Sequence, residues 1–268
     1  MFSVVMAVRN GMPHLEETVE SVLTQSHEGF ELIIVDDGSS DSTHAYLSSL
    51  SDSRLRMFQT TGIGQGPALN YGVAQSSATW IVRLDADDPM HPQRLEALAM
   101  HVQDLVNDCG ILASRASIIH GDNKASFSCF PSSKIENAEN HDVTGELAYH
   151  NPAVHSAVAI RRDAFTEVNG FSPTVTSNID YWLWGRIVER GWKFRRIELQ
   201  LQAKRLHANQ AFERGQRLKY LTASAKAQYF CGTKALGLSR TRMWFLCSMK
   251  FLYGSLPQWT RSRLLLGR

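Results

Sequence analysis

Cysteine is scarce and scattered. The 268 residues contain four, Cys109, Cys129, Cys231 and Cys247, and no Cys-x-x-Cys pair, so neither a zinc knuckle nor a disulfide framework is encoded and a reducing cytosol is expected. Long apolar runs are missing too. None approaches the roughly 18 to 20 residues of a membrane-spanning helix, and MFSVVMAVRN carries no cationic stretch before its short apolar run, so neither a span nor a signal peptide is expected. No Gly-Lys-Ser/Thr closes a P-loop, and in Gly62-Ile63-Gly64-Gln65-Gly66-Pro67 the proline stands where a dinucleotide fingerprint requires glycine. Both glycine cradles for phosphate are thereby excluded. With 43% hydrophobic and 20% charged residues and no internal repeat, extensive disorder and a solenoid are excluded as well.

What is present is an alternation of strand-like and helix-like segments. Phe2 to Val8 is a β-branched apolar run closed by Asn10-Gly11, and Pro13 opens a helix whose Leu15, Val19, Val22 and Leu23 share one face. Phe30 to Val35 is a second strand, after which Asp41 caps a helix through Leu47. Leu55 to Gln59 reads as a third strand, Pro67 to Gln75 as a helix, Trp80 to Leu84 as a fourth strand and Pro92 to Val106 as a helix. Further on, Ile111 to Ile119, Val154 to Arg161 and Lys193 to Ile197 read as strands and Tyr181 to Glu189 as a helix, while His120 to Thr144 is polar and gives no pattern. This order predicts an α/β fold with a mostly parallel sheet flanked by helices, its functional loops at the carboxyl ends of the strands.

Acid clusters stand at two of those ends, Asp36-Asp37 and Asp85-Ala86-Asp87-Asp88. Carboxylates gathered there repel one another, which asks for a compensating cation or for donors from a ligand. The plainer reading is turn formation and helix capping, and for Asp36-Asp37-Gly38-Ser39 both stand. Asp85 and Asp87, at i and i+2 after a buried strand, can both reach one divalent ion and the phosphates it carries. Their oxygen donors suit Mg²⁺ or Mn²⁺.

The runs SVVMAVRN, VESVLTQSHEGFELIIVDDGSSDST and ALNYGVAQSSATWIVRLDADD, then NPAVHSAVAIRRDAF, VNGFSP, NIDYWLWGRIVERGWKF and LQAKRLHANQ, resemble in that order the family 2 glycosyltransferases, inverting enzymes of the GT-A fold. The resemblance covers about residues 1 to 210. It implies nucleotide binding by Ala7, Val8 and Arg9 at the end of strand one and by Asp37, a carboxylate able to accept the uracil ring N–H, so a UDP-sugar is the expected donor. It implies an Asp-x-Asp motif in which Asp87 ligates the metal directly and Asp85 lies nearer the ribose or a metal-bound water. His207 matches a histidine that completes the metal site, with Lys204 where the family has Tyr. Asp180 takes the position of the general base, which removes the proton of an acceptor hydroxyl; capping its helix is a second reading of the same residue. Ile179 stands for the usual acid and Trp182 for a frequent Asp. His155 also matches a recurrent position, with no role that its chemistry assigns.

A composition boundary falls near residue 210. Residues 211–268 hold eleven Lys and Arg against one acid, a balance of +10, while the preceding residues carry −8. Domains at 1–210 and 211–268 follow, the second a basic, aromatic-rich helical extension. Its Trp244, Phe245, Phe251 and Trp259 suit an anionic membrane surface, which would make the protein peripheral on the inner face of a membrane; nucleic acid could use the same residues but is the less expected partner, and packing against the first domain is the plain alternative. The reading as a whole is an inverting, metal-dependent glycosyltransferase acting on a glycan or lipid-linked acceptor in surface polysaccharide assembly. Its rivals are a nucleotidyltransferase and a catalytically silent nucleotide- or glycan-binding module.

Overall fold

The computed structural model describes residues 1–103, 105, 107–206 and 217–255. The apolar runs at the start form β1 (Phe2–Val8), β2 (Phe30–Asp37), β3 (Leu55–Thr60) and β4 (Trp80–Leu84), joined by α1 (Leu15–Leu23), α2 (Thr43–Ser49) and α3 (Gln65–Ala74). These four strands pair in parallel. After α4 (Arg94–Gln103) come β5 (Cys109–His120), α5 (Ser132–Glu136), β6 (Asn140–Asp142), β7 (Val158–Arg161), α6 (Arg162–Glu167), α7 (Ile179–Glu189) and β8 (Lys193–Leu206). Among the described residues they make one eight-stranded sheet in the order β3-β2-β1-β4-β7-β5-β8-β6. β7 is antiparallel to both of its neighbours, so the chain reverses at the centre of the sheet.

Strand side chains alternate between the two faces, and both faces are covered. Val4, Met6, Leu32, Ile34, Val82 and Leu84 pack with Leu15, Val19 and Val22 of α1 and Leu95 and Leu98 of α4. Val5, Ile33 and Ile81 pack with Leu69 and Val73 of α3 and Trp184 and Ile187 of α7. Each such Val, Leu or Ile contributes about 1.5–3 kcal/mol by leaving water, so this double-sided core fixes where the strand ends lie.

The departures from the sequence pattern have local causes. α3 starts at Gln65 rather than Pro67, and the first helical bond runs from Ala68 N to Gly64 O, so the proline loses no hydrogen bond. α4 starts at Arg94, and its expected end lies partly outside the described residues. α7 begins at Ile179, with Asn178 at the N-cap position, so Asp180 is not the cap. The strand expected from Val154 is shorter, because His155–Ala157 form a 3₁₀ turn that directs Ser156 to Asp88. β8 runs nine residues past Ile197, its Leu199, Leu201 and Ala203 buried in alternation with Glu198 and Gln200.

Past residue 216 the chain forms α8 (Arg217–Phe230), a π-helical turn (Cys231–Ala235) and α9 (Arg240–Ser255). Ala227 and Cys231 bury against the α7 side of the core, and Met243 and Cys247 close on Ala148. The Trp182 ring lies 5.0 Å from that of Phe230. Gly185 permits this approach, since a Cβ there would meet Cys231 Sγ at 2.6 Å. The outer face is different: Leu218, Trp244, Phe245, Met249 and Leu252 are exposed. No described helix is long and apolar enough to cross a membrane.

Candidate active site

Three parallel strand ends meet at one edge of the sheet. Val8 pairs with Asp36 and Met6 with Leu84, so Ala7, Val8, Arg9, Asp37 and Asp85 come together there. Asp37 is buried at the end of β2. Its Oδ1 accepts from Thr60 Oγ1 at 2.6 Å and Ile63 N at 2.7 Å, and its Oδ2 from Gly64 N at 2.8 Å. Burial alone would raise its pKa, but the Thr60 hydroxyl and the backbone N–H groups of Gly64, Ile63 and Gly62 outweigh it and the carboxyl is shifted down. Gly38 and Gly62, both at positive φ, let the two loops touch: a Cβ on Gly38 would lie 3.1 Å from Gly62 N. The Arg9 guanidinium lies against Gly62.

At the end of β4, Asp85, Asp87 and Asp88 bring one carboxylate oxygen each within 4.8 Å of the others. Hard oxygen donors at that spacing fit a divalent cation such as Mg²⁺ or Mn²⁺. The three differ in their surroundings. Asp85 Oδ1 lies 2.5 Å from Arg83 Nη1 and accepts from Gln65 Nε2 at 3.3 Å, while Lys204 Nζ stands 3.8 Å from Oδ2. Burial would raise Asp85, but the Arg83 and Lys204 charges hold it well below the usual carboxylate range. Asp88 is fully buried and accepts from Ser156 Oγ at 2.5 Å, Arg205 N at 2.8 Å and Lys204 Nζ at 3.1 Å. Burial first and the Asp85 charge second push it up to about 7. Asp88 therefore pins the loop to β8. The Arg205 guanidinium closes the clamp on Asp87 O and Glu17.

Asp180 lies in the first turn of α7, and the Arg83 charge that acts on Asp85 acts on it too. Its Oδ2 accepts from Asn151 Nδ2 at 2.6 Å. Burial raises its pKa against the Tyr181 N–H, the Asn151 amide and the Arg83 charge. Its charge also acts on the Tyr220 hydroxyl, so the first turns of α8 border the same space. Ile179 turns into the core and Trp182 onto Phe230. His155 is packed edge-on against Phe171 and Trp184, its Nε2 buried without a hydrogen-bond partner among the described residues, and burial followed by the Arg83 charge keeps it neutral.

The structure thus gathers Ala7, Val8, Arg9, Asp37, Asp85 and Asp87 at the strand ends and links Asp180 to them through the Arg83 charge; His207 lies outside the described residues. Sequence reasoning did not single out Arg83, Asp88, Asn151, Ser156, Arg205 or Tyr220, and it noted Lys204 only as a departure. The signal for Arg83 and Asp88 was there: a charged residue inside a buried strand and an acid next to proline both need partners.

The model of the family described as Glycosyl transferase family 2 matches residues 3–168. The O-antigen biosynthesis glycosyltransferase WbnJ of Escherichia coli is 28% identical over 193 residues, which cover 70% of this chain and 72% of that protein. The chain spans only 27% and 31% of the length of two other curated relatives, so whole-protein activity does not carry over from them. Among solved structures, S. aureus TarS 1-349 in complex with UDP-GlcNAc superposes with a TM-score of 0.68 at 16% identity, covering 94% of this chain and 72% of that one. The mannosyltransferase PcManGT from Pyrobaculum calidifontis in complex with GDP-Man and Mn²⁺ gives 0.61 at 16% identity, covering 99% and 78%. At that identity the likeness is one of fold, the GT-A fold, and with more than half of its length matched by the family model the chain belongs to glycosyl transferase family 2.

Proposed function

We propose that the protein is a metal-dependent, inverting glycosyltransferase that moves a sugar from a UDP-sugar to a hydroxyl of a glycan or lipid-linked acceptor in surface polysaccharide assembly, at the inner face of a membrane. The observation that carries this reading is the Asp85/Asp87/Asp88 cluster at the end of β4, together with the Asp180 carboxylate, whose pKa is raised and which lies within electrostatic reach of the same Arg83 that pairs with Asp85. Asp85 and Asp87 would hold Mn²⁺ or Mg²⁺, with His207 as a further ligand. When bound, the ion supplies positive charge to the departing diphosphate. On the nucleotide side, Asp37 at the end of β2, its direction fixed by the Thr60–Gly64 loop, is the carboxylate proposed to accept the N–H of a uracil ring held between the ends of β1 and β2. Asp180 takes the proton of the incoming hydroxyl, and Asn151 fixes the carboxylate's direction. The UDP-GlcNAc complex of TarS and the name of WbnJ support the donor class and the pathway class.

The test is nucleotide release. Incubation with UDP-sugars, Mn²⁺ and a glycan or lipid-linked acceptor should yield free UDP; release of pyrophosphate instead would identify a nucleotidyltransferase, and binding without release a silent module. A thermal-shift panel of UDP- and GDP-sugars selects the donor, because a ligand that binds only the folded chain raises its melting temperature.

The division at residue 210 extends the reading to the membrane. Residues 217–255 carry seven Lys and Arg and no acid, and Trp244, Phe245, Met249 and Leu252 stand exposed beside a groove of about 700 Å³ lined by Trp182, Tyr229 and Phe251. An exposed apolar face inside a cationic frame suits an anionic lipid surface, each base contributing about 1 kcal/mol there. Trp244→Ser with Phe245→Ser should abolish co-sedimentation with anionic liposomes, and high salt should weaken it for the parent. Binding to RNA with none to liposomes would transfer the surface to nucleic acid.

A further inference from the structure

We infer that Lys204 is a built-in cation of the diphosphate pocket, one that grips phosphate oxygens directly and competes with a divalent metal for the same carboxylates. The inference rests on the nucleotide-sugar reading above and concerns a side chain that reading leaves unused. Lys204 stands near the end of β8, with Nζ 3.1 Å from Asp88 Oδ2 and 3.8 Å from Asp85 Oδ2. Arg83 already faces the other Asp85 oxygen at 2.5 Å. Two cations therefore meet three acids whose oxygens lie within 4.8 Å and offset much of their negative charge.

The two cations are not equivalent. The Arg83 side chain is 1% exposed and lies beneath the site, whereas that of Lys204 is 25% exposed and borders the space above it. An ammonium has three N–H donors on a flexible stem. Asp88 accepts one of them and Asp85 draws a second, which leaves a third for a phosphate oxygen. The strand end that carries Lys204 is anchored on both sides of the loop: Arg205 N donates to Asp88, and the Arg205 guanidinium donates to Asp87 O, Gly121 O and Asn123 O. Lys204 thus stays beside the acids.

An ammonium this close to Asp85 and Asp88 repels a divalent ion placed on the same oxygens, while it attracts a diphosphate. Removing it should move the two affinities in opposite directions, an outcome that simple loss of structure cannot produce. The experiment titrates Mn²⁺ alone by EPR, and UDP by calorimetry in EDTA and in Mn²⁺, for the parent protein, Lys204→Met and Lys204→Arg. The parent should bind UDP measurably in EDTA. Lys204→Met should lose about tenfold in UDP affinity there, the worth of one charge-assisted hydrogen bond, yet bind free Mn²⁺ more tightly; Lys204→Arg should follow the parent in both. UDP binding by the parent in Mn²⁺, but with the same Mn²⁺-to-EDTA ratio in Lys204→Met, would overturn the role of Lys204 alone. No UDP binding by the parent in either condition would overturn the nucleotide reading and this one with it. Parallel loss of both affinities in Lys204→Met and Lys204→Arg would reduce Lys204 to a structural clamp on Asp88.

Discussion

On the donor side of the site Asp37 accepts three hydrogen bonds from residues at most 27 positions away, and Asp88 accepts three more from β8 and the 3₁₀ turn. On the side proposed for the acceptor, Asp180 is held by the Tyr181 N–H of its own helix turn and by one side-chain amide from outside it, and the helix leans through Trp182 on Phe230 of α8. The first arrangement is over-determined: several polar donors fix each carboxylate, so a nucleotide diphosphate would meet a preformed surface. The second rests on one hydrogen bond from outside its helix and on aromatic packing, whose geometry tolerates repacking. A constant donor read by a rigid half and a variable acceptor read by an adaptable half is the division this contrast supports.

Breaking the donor half should have the largest effect. In Asp87→Ala the site would lose its proposed direct metal ligand, and turnover should fall to background while the gain in UDP affinity given by Mn²⁺ disappears. Calorimetry with and without Mn²⁺, beside a UDP-release assay, checks both. Undiminished release would remove Asp87 from the site. Asp85→Ala should weaken donor binding and turnover as well, with Arg83 losing its ion-pair partner.

Breaking the acceptor half at its reacting atom should leave donor binding alone. Asp180→Asn keeps size and shape but cannot take a proton, so UDP affinity should be retained while turnover falls by about 10²- to 10⁴-fold. The same carboxyl sets a pH dependence. Burial favours its neutral form, so its folded pKa lies above the ordinary 3.8; below that folded pKa the base is protonated and idle, and activity rises as pH rises through it. The acidic limb of the kcat profile should lie above 3.8 and vanish in Asp180→Asn. An unchanged limb would place the base elsewhere.

The contrast also marks what the sequence could reveal. Strand ends could be read, because a run such as Phe30 to Val35 followed by two acids and Gly38 combines burial with turn chemistry in adjacent residues. The family-level pattern added Asp180. The partners of these residues could not be read. Asp88 with Lys204 and Asp180 with Asn151 are joined by the path of β8 and by the loop that precedes the 3₁₀ turn, 116 and 29 positions away, and no local periodicity encodes such pairs. β8 beyond Ile197 is a different case. Its alternation of Leu199, Leu201 and Ala203 with polar residues has the period of a half-buried strand and was legible in principle. The segment from His120 to Thr144 stayed opaque because its short elements, α5 and β6, are defined by packing under α4 and on β8 rather than by their own pattern.

A gentler break of the donor half is Asp37→Ala. It leaves the Thr60 hydroxyl and the Ile63 and Gly64 N–H groups without their acceptor; since Ile63 and Gly64 are exposed, water takes up part of the loss and each donor costs less than the about 1–3 kcal/mol of a buried orphan. The melting temperature should drop, and UDP affinity should fall by about tenfold if Asp37 also reads the base. A fall in melting temperature with unchanged UDP affinity would leave Asp37 as a loop anchor only. The pKa of Asp37 is lowered in the folded chain, so its stabilisation is present above the unfolded value near 3.8 and is lost as pH falls through the folded value. Acid unfolding of Asp37→Ala should therefore be less steep than that of the parent.

The smallest effect expected is at the joint between the acceptor half and the extension. Trp182 is half-buried, its ring 5.0 Å from Phe230 and tilted by 34°. Full burial would make a Trp→Ala change cost about 3–5 kcal/mol, and partial exposure brings Trp182→Ala below that range. The loss should stay local, because α8 remains attached to the core by Ala227 and Cys231. Trp182→Ala should then raise the rate at which a protease cuts between α8 and α9 and increase the KM for the acceptor a few-fold, with the KM for the donor and the global melting temperature little changed. Trp182→Phe, which keeps an aromatic face for Phe230, should restore both. Equal changes in donor and acceptor KM would show that the two halves move as one body, and the division of labour between a rigid donor side and an adaptable acceptor side would not hold.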